Sequence, residues 1–172
     1  MTIKLVVGEC TLNVVSTYAP QVGLDEEIKR HFWEGLDDIV RSIPPSEWLF
    51  IGGDFNGHIG LSAGGYTEVH SGFGFGERNG GGTSLLNFAK AFDLVIANSS
   101  FPKREEHLVP YQSSVARTQL DYLLIRRCDR RLCEDCKVIP GDTLATQHRF
   151  LVMDISIMIR RKQRSVGLGG VP

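Results

Sequence analysis

A carboxylate and a carboxamide follow an apolar run near the middle of the chain. The run Trp48-Leu49-Phe50-Ile51 predicts a buried strand, and Gly53-Asp54-Phe55-Asn56 comes shortly after it. Open α/β sheets bind their ligands at the carboxyl ends of strands, where Asp54 could hold a hard cation or take a proton from water. Asn56 could hold a phosphate or a water molecule there by hydrogen bonds. The alternative is that both residues only shape a turn, as Asp and Asn commonly do.

Three further polar residues stand where the pattern predicts a strand or its end. Tyr18 ends a β-rich run, and His148 precedes the last predicted strand, where it could equally be a surface loop histidine. Asp121 shares a predicted strand face with Leu123 and Ile125. A carboxylate on such a face needs a partner, because burying a lone charge is very costly. Asp121 could accept a hydrogen bond from one ring nitrogen of His148, which would fix the tautomer of the other nitrogen.

The elements that must position these residues alternate between strands and helices. Period-two and helical spacings predict strands at 3–7, 12–18, 48–53, 94–97, 105–112, 119–125, 138–139 and 150–159, and helices at 24–43 and 83–92. Thr83 is the predicted N-cap of the second helix. Before it, residues 57–82 form a glycine-rich segment that is either a functional or mobile loop or a plain surface loop.

The composition indicates one ordinary domain without a strong electric field. The chain has 172 residues, 42% of them apolar, and a formal net charge of -1, so the overall charge does not point to nucleic acid. No apolar run could span a membrane and no signal peptide is visible, so we expect a protein of the nucleus or cytoplasm. Residues 160–172 are basic and rich in glycine, which predicts a disordered tail.

Four cysteines raise the question of a metal site. Three of them cluster as Cys128-x4-Cys133-x2-Cys136, and Cys10 lies far away in the chain. A structural zinc ion needs four ligands, of which a histidine could supply the last. Because no second CxxC pair matches the first, free thiols in a reducing compartment are the favoured interpretation.

Taken in order, the polar motifs resemble those of the endonuclease/exonuclease/phosphatase superfamily, which includes abasic-site endonucleases, DNase I and the endonucleases of non-LTR retrotransposons. The residues that carry this resemblance are Tyr18-Ala19-Pro20, Gly53-Asp54-Phe55-Asn56, Asn79-Gly80 with Leu85-Leu86-x-Phe88, Asn98-Ser99-Ser100-Phe101, Leu120-Asp121-Tyr122 and His148. The resemblance covers nearly the whole chain up to about residue 159. The chain looks most like the craniofacial development protein 2-like group, which itself looks like domesticated or residual retrotransposon endonuclease sequence.

The resemblance implies a Mg²⁺-dependent phosphodiesterase, with Mn²⁺ as a possible substitute and DNA as the ancestral substrate. Asp54 would hold the metal and activate or align the attacking water, Asn56 would bind the scissile phosphate, and Tyr18 would contact that phosphate. His148 would stabilise the developing phosphorane charge, and Asp121 would orient the histidine. Electrostatic stabilisation of this kind is usually the largest catalytic contribution. A phospholipid or an inositol phosphate remains open as the substrate.

The resemblance also implies the fold, which is α/β. The chain would form the carboxy-terminal part of a four-layer α/β sandwich of the DNase I-like type, in which helices cover two packed mixed sheets. Residues 1–159 would be this incomplete domain and supply roughly the second sheet with its helices. The face that normally packs on the missing sheet would be exposed. We therefore expect the missing amino-terminal half or another protein to cover it, and the isolated chain to be marginally stable or self-associating.

Two departures from the family pattern lead us to expect weak activity, or none, from the chain alone. Gln147 stands where the family has the Asp of Ser-Asp-His, so it would be a weak and uncharged metal ligand. The tyrosine motif lies at position 18, so the amino-terminal half that carries the principal Glu ligand is expected to be absent. Glu9 falls in a predicted hairpin turn and is not assigned that role. The alternative is a non-catalytic binding or interaction remnant of the same fold.

Overall fold

The structure is a computed structural model that describes residues 1–104, 107, 111–112, 117–145 and 148–157, with the backbone alone at 111–112, 117–118, 140–145 and 148–149. Its strands and helices are β1 (Thr2–Val7), β2 (Cys10–Tyr18), α1 (Glu26–Ser42), β3 (Trp48–Asp54), α2 (Gly80–Ala91), β4 (Leu94–Ile96), β5 (Tyr111–Gln112), β6 (Arg117–Thr118), β7 (Asp121–Arg126), β8 (Cys133–Ala145) and β9 (His148–Ile155). The predicted tail at 160–172 and most of the strand predicted at 105–112 lie outside the described residues.

A five-stranded sheet with the order β1-β2-β3-β7-β4 forms the centre of the molecule. The pair β2–β3 is parallel and the other three pairs are antiparallel. The predicted hairpin is confirmed, with a two-residue turn in which Gly8 takes a positive φ of 64°. The apolar run before Asp54 becomes the central strand β3, where Leu49 and Ile51 are fully buried.

Two helices pack on one face of this sheet. The helix predicted at 24–43 is confirmed as α1, which the Asp25 side chain caps by accepting a hydrogen bond from Glu27 N at 3.1 Å. Leu36 and Val40 of α1 join the main core. The buried residues of α2 are Gly82, Leu85, Leu86, Phe88 and Ala89, and they close the core between the helices and the sheet.

The predicted N-cap of the second helix was wrong. The helix begins at Gly80, and Asn79 caps it by accepting hydrogen bonds from Gly82 N at 2.9 Å and from His58 N at 3.0 Å. Thr83 lies inside the helix and its hydroxyl donates to Asn79 O. Glycine is a poor helix former, so the pattern predicted a later start. The first turn nevertheless forms here because the glycines let it lie directly against the backbone at His58.

The glycine-rich segment before α2 is a packed loop. The Arg78 guanidinium lies over the Tyr66 ring at 5.0 Å from its centroid. It also donates hydrogen bonds of 2.7–3.1 Å to four carbonyl oxygens, which belong to Ile59, Ser62, Ala63 and Gly64. Ile59, Val69 and His70 are completely or almost completely buried. Arg78 therefore ties the loop to itself, and the loop covers one end of the core.

His70 makes this loop sensitive to pH. Its Nε2 donates to Gly60 O at 3.0 Å and its Nδ1 accepts from Gly72 N at 2.9 Å, so the buried ring is held in the neutral form. Burial lowers the pKa of His70 below its ordinary value.

We expect the free energy of unfolding to fall as the pH drops below about 6.5, the ordinary histidine pKa. The unfolded chain then takes up a proton that the native ring rejects, so protonation favours the unfolded state. Urea unfolding between pH 8 and pH 5 measures this slope. His70→Gln should flatten it, whereas His31→Gln, at an exposed position on α1, should not. An unchanged slope in His70→Gln would contradict the assignment.

A second sheet, with the order β6-β5-β9-β8, lies against the other face of the central sheet. Met153 of β9 packs on Phe50 and Ile125 in a second core cluster. The expectation that the chain supplies roughly one sheet is thus corrected, because the β8–β9 pair belongs to another layer and covers part of the face expected to be exposed.

The cysteines show no metal chemistry in the described part of the chain. All four are free thiols, and Cys133 and Cys136 are buried on β8. Burial raises the pKa of both thiols, which disfavours the thiolates that zinc requires. The described residues hold no group of three or more His, Cys, Asp or Glu side chains that could bind a metal ion. Among the same residues, no helix is long and apolar enough to cross a bilayer.

Candidate active site at the edge of the central sheet

Three of the predicted site residues form a row across three adjacent strands. Tyr18 of β2 is the register partner of Asp54 of β3, and Asp54 is in turn the partner of Asp121 of β7. Directly opposed residues on paired strands point to the same face, with Cβ atoms about 5 Å apart in antiparallel pairs. One phenol and two carboxylates therefore meet at one edge of the sheet.

The turn after β3 brings Asn56 to the same edge. Its backbone takes a left-handed φ of 47°, which Asn tolerates better than most residues. Asp54 Oδ1 accepts a hydrogen bond from Asn56 N at 2.8 Å, and Asn56 Nδ2 donates to Ala19 O at 2.7 Å. The two residues thus shape a turn, as the alternative interpretation proposed. Among the residues that the structure describes, the second carboxylate oxygen of Asp54 and the second N–H of the Asn56 amide have no hydrogen-bond partner and could contact a ligand.

His148 lies in the second sheet. It is the first residue of β9, and its backbone pairs with Ala145 of β8 and with Tyr111 of β5. The predicted hydrogen bond between Asp121 and the His148 ring involves a side chain that the structure does not describe, so it stays a prediction. Gln147 lies outside the described residues.

Solved nucleases share this architecture. The endonuclease domain of TRAS1, a telomere-specific non-LTR retrotransposon, matches with a TM-score of 0.62 and 17% identity over 91% of this chain and 63% of its own. The 3′-5′ exonuclease NExo from Neisseria meningitidis matches with a TM-score of 0.63 and 10% identity, over 91% of this chain and 65% of its own. The catalytic domain of Xenopus laevis APE2 matches with a TM-score of 0.55 and 16% identity, over 87% and 52%.

The chain has the endonuclease/exonuclease/phosphatase fold. The predicted fold class, part of a DNase I-like α/β domain, is confirmed by these matches.

Sequence comparison agrees with the fold. Craniofacial development protein 2 from Tragulus javanicus and from Bos taurus are each 28% identical over 151 residues, which is 87% of this chain. The chain spans about a quarter of the length of these relatives, 26% and 25%. No protein-family model matches the chain.

Asn98 supports the start of β7, beside the row of Tyr18, Asp54 and Asp121, and had no assigned role in the sequence. It lies in a 3₁₀ helix (Ala97–Ser99) after β4 and is 3% exposed. Its Nδ2 donates to Asp121 O at 3.1 Å, and its Oδ1 accepts from Leu123 N at 3.2 Å. These two bonds fix the position of the backbone at the start of β7, and therefore the position of Asp121. The sequence signal was a polar triplet directly after an apolar strand.

Tyr122 anchors the edge from the opposite face of β7. The side chain is completely buried, and its hydroxyl lies 2.7 Å from Gln119 O and 3.0 Å from Gly57 O. It also accepts a hydrogen bond from Ile59 N at 3.4 Å, and burial raises the pKa of the phenol. Tyr122 therefore links the loop that follows Asn56 to the strand that carries Asp121.

Gln119 is a second residue beside the edge that the sequence did not single out. Its side chain is fully buried, and neither its Oε1 nor its Nε2 has a hydrogen-bond partner within the described part of the chain. Buried amides without partners are uncommon and carry a desolvation cost.

The donors at the edge fit a hydrated Mg²⁺ ion. Asp54 and Asp121 place two carboxylates on register partners at the ends of β3 and β7. Mg²⁺ binds through one or two carboxylates, keeps several water ligands and takes the rest from phosphate.

Proposed function

We propose that the chain is part of a Mg²⁺-dependent phosphodiesterase of the endonuclease type, descended from a retrotransposon endonuclease and acting on DNA. The observation that supports this most strongly is the row of Tyr18, Asp54 and Asp121 with Asn56 beside it. The similarity to the TRAS1 endonuclease supports the descent. NExo, which has also been solved with a product DNA hairpin, supports DNA as the substrate class.

In this proposal each residue at the edge has one task. The remaining oxygen of Asp54 aligns the attacking water or takes its proton, and Asn56 donates its second amide N–H to the scissile phosphate. The Tyr18 side chain, 65% exposed, can donate its O–H to the same phosphate. His148, oriented by Asp121, stabilises the phosphorane charge. Bound to Asp54, and weakly to Gln147, Mg²⁺ would supply further charge stabilisation.

We also propose that the remainder of the nuclease domain docks in a groove beside β9. This groove has a volume of about 550 Å³, and its lining is apolar for the most part, including Leu5, Leu12 and Val14 from the central sheet and Leu151 and Met153 from β9. Among the described residues, β9 pairs with β8 on one side, but with β5 only at His148 on the other.

A strand edge beside an exposed apolar face is the surface that another β-sheet segment covers. About a third of the chain of each solved domain, TRAS1 and NExo, lies outside the part matched here. The missing layer would therefore extend the β8–β9 sheet across the groove and complete the nuclease sandwich.

A nicking assay on plasmid and abasic-site DNA tests the function. We expect only trace EDTA-sensitive nicking from the chain, and at least about tenfold more from a hybrid that adds the uncovered part of the TRAS1 endonuclease domain. Gln147→Asp alone should restore less, since it supplies one charge but no cleft wall. Amide exchange on the hybrid should also show new protection along β9.

The outcomes separate the two proposals. If the hybrid shows amide protection along β9 but no nicking, the proposed nuclease activity is wrong and the proposed docking stands. Robust EDTA-sensitive nicking by the unmodified chain would show instead that this part of the domain suffices, and that its incompleteness does not limit catalysis.

A further inference from the structure

A separate cavity of about 350 Å³ opens beside the candidate active site, between α1 and the start of α2. Asn56, which holds the turn after β3, also forms part of the cavity rim. The floor is aromatic, because the Trp33 and Phe55 rings stack there with centroids 6.3 Å apart. Pro20 and Val22 extend the apolar wall. The cavity is thus continuous with the catalytic edge, although none of the catalytic tasks proposed above requires it.

Three charged side chains line the cavity, Lys29, Arg30 and Glu26, together with the polar side chains of Asn56 and Ser84. Lys29 is only 25% exposed and lies at the cavity wall, where its ammonium contacts Glu26 at 2.7 Å. Glu26 is 87% exposed, so this ion pair is open to exchange with another anion. The N–H groups of Gly82 and Thr83 are taken by Asn79. The preceding residues, Gly80 and Gly81, line the cavity, and their N–H groups have no acceptor among the described residues.

Gly80 leaves the cavity open. A Cβ atom built on this residue would meet nothing within 4 Å, so a side chain there would project into free space. The volume falls in the range of small-ligand sites, which are mostly apolar with a few converging polar groups. An apolar, aromatic floor beside an ammonium and two backbone donors matches a flat ring that carries an anionic group.

We infer that this cavity is a nucleotide subsite that receives one unpaired base and its phosphate, next to the bond to be cut. This assignment rests on the proposed function for its substrate class, because a cavity that shares Asn56 with the catalytic edge lies one step along a bound strand. The subsite selects DNA in which a nucleotide can leave the stack, since a base that stays paired in a duplex could not enter a cavity of this size.

Binding of a fluorescein-labelled octathymidylate, measured by anisotropy at low salt in EDTA, tests the subsite without any cleavage. Gly80→Leu should fill the cavity and weaken binding at least tenfold. Gly35→Leu is the matched control, because Gly35 is also an exposed helical glycine with nothing within 4 Å of its Cβ position, but it does not line the cavity. It should change the Kd less than twofold. Circular dichroism melts of both variants establish that each is folded.

Competition identifies the ligand class. Thymidine 5′-monophosphate should displace the octathymidylate from the unmodified chain at least tenfold better than inorganic phosphate does. Equal competition would show that no base is bound and would overturn the inference, as would equal binding by Gly80→Leu and the unmodified chain. If Gly80→Leu leaves the nicking rate of the hybrid unchanged, the subsite inference is wrong but the proposed nuclease activity stands. If thymidine 5′-monophosphate binds selectively but the hybrid does not nick DNA, the subsite stands and the proposed nuclease activity is wrong.

Discussion

Replacement of Asp54 by Ala in the hybrid nuclease is expected to reduce EDTA-sensitive nicking by about 10²–10⁴-fold, the usual contribution of a positioned acid–base group. Asp54 lies at the centre of the Tyr18–Asp54–Asp121 row, and one of its oxygens is not used by the turn. Its removal takes away both the proton acceptor and a carboxylate for the cation. The measurement is the initial rate of plasmid nicking at saturating Mg²⁺.

Asp54→Asn separates the chemistry of this residue from its role in the turn. The Asn oxygen can still accept the hydrogen bond from Asn56 N, so the turn is kept while the charge is lost. If Asp54 only shapes the turn, Asp54→Asn will be nearly as active as the unchanged hybrid. We expect it to be as inactive as Asp54→Ala. Cys133→Ser, in a buried thiol on β8 away from the edge, should leave turnover unchanged.

The largest effect on stability is expected from Gly82→Ala. Gly82 is buried in the first turn of α2, and a Cβ atom there would overlap the His58 carbonyl group. The helix cannot slide away, because the Asn79 side chain binds both Gly82 N and His58 N. Overpacking of this kind costs about 1–3 kcal/mol and sometimes more. We expect about 3 kcal/mol, seen as a fall in Tm of about 6–12 °C by calorimetry.

Gly35→Ala is the matched control for this substitution. Gly35 lies in α1 with open space at its Cβ position, so alanine should stabilise the protein by about 0.5–1 kcal/mol through helix propensity alone. Opposite signs for the two variants would show that contact with the loop, and not propensity, controls position 82. A stabilising Gly82→Ala would mean that α2 does not lie against His58.

Much of the fold was predictable from spacing alone. The hairpin, α1, β3, β4 and β7 were each predicted to within a few residues, because apolar periodicity reports directly which local conformation buries one face. The start of α2 was not, since a run of three glycines reads as a break unless a neighbouring backbone requires the close approach. The 13 residues of β8 were also missed except for a fragment, because proline, glycine and charged residues interrupt the pattern there.

The sequence by itself determined which residue types follow which strands, and their order resembled one nuclease family. Only the tertiary structure decided that Tyr18, Asp54 and Asp121 are register partners, because register depends on pairing between strands that are far apart in the chain. The residues that hold this row in place were likewise identified only from the tertiary structure. Asn98 and Tyr122 stand in motifs that the sequence shows, but only folding places their polar atoms against backbone groups of other segments. The local pattern of apolar residues shows which side chains are buried. The candidate site depends on which distant segments of the chain come together in the fold.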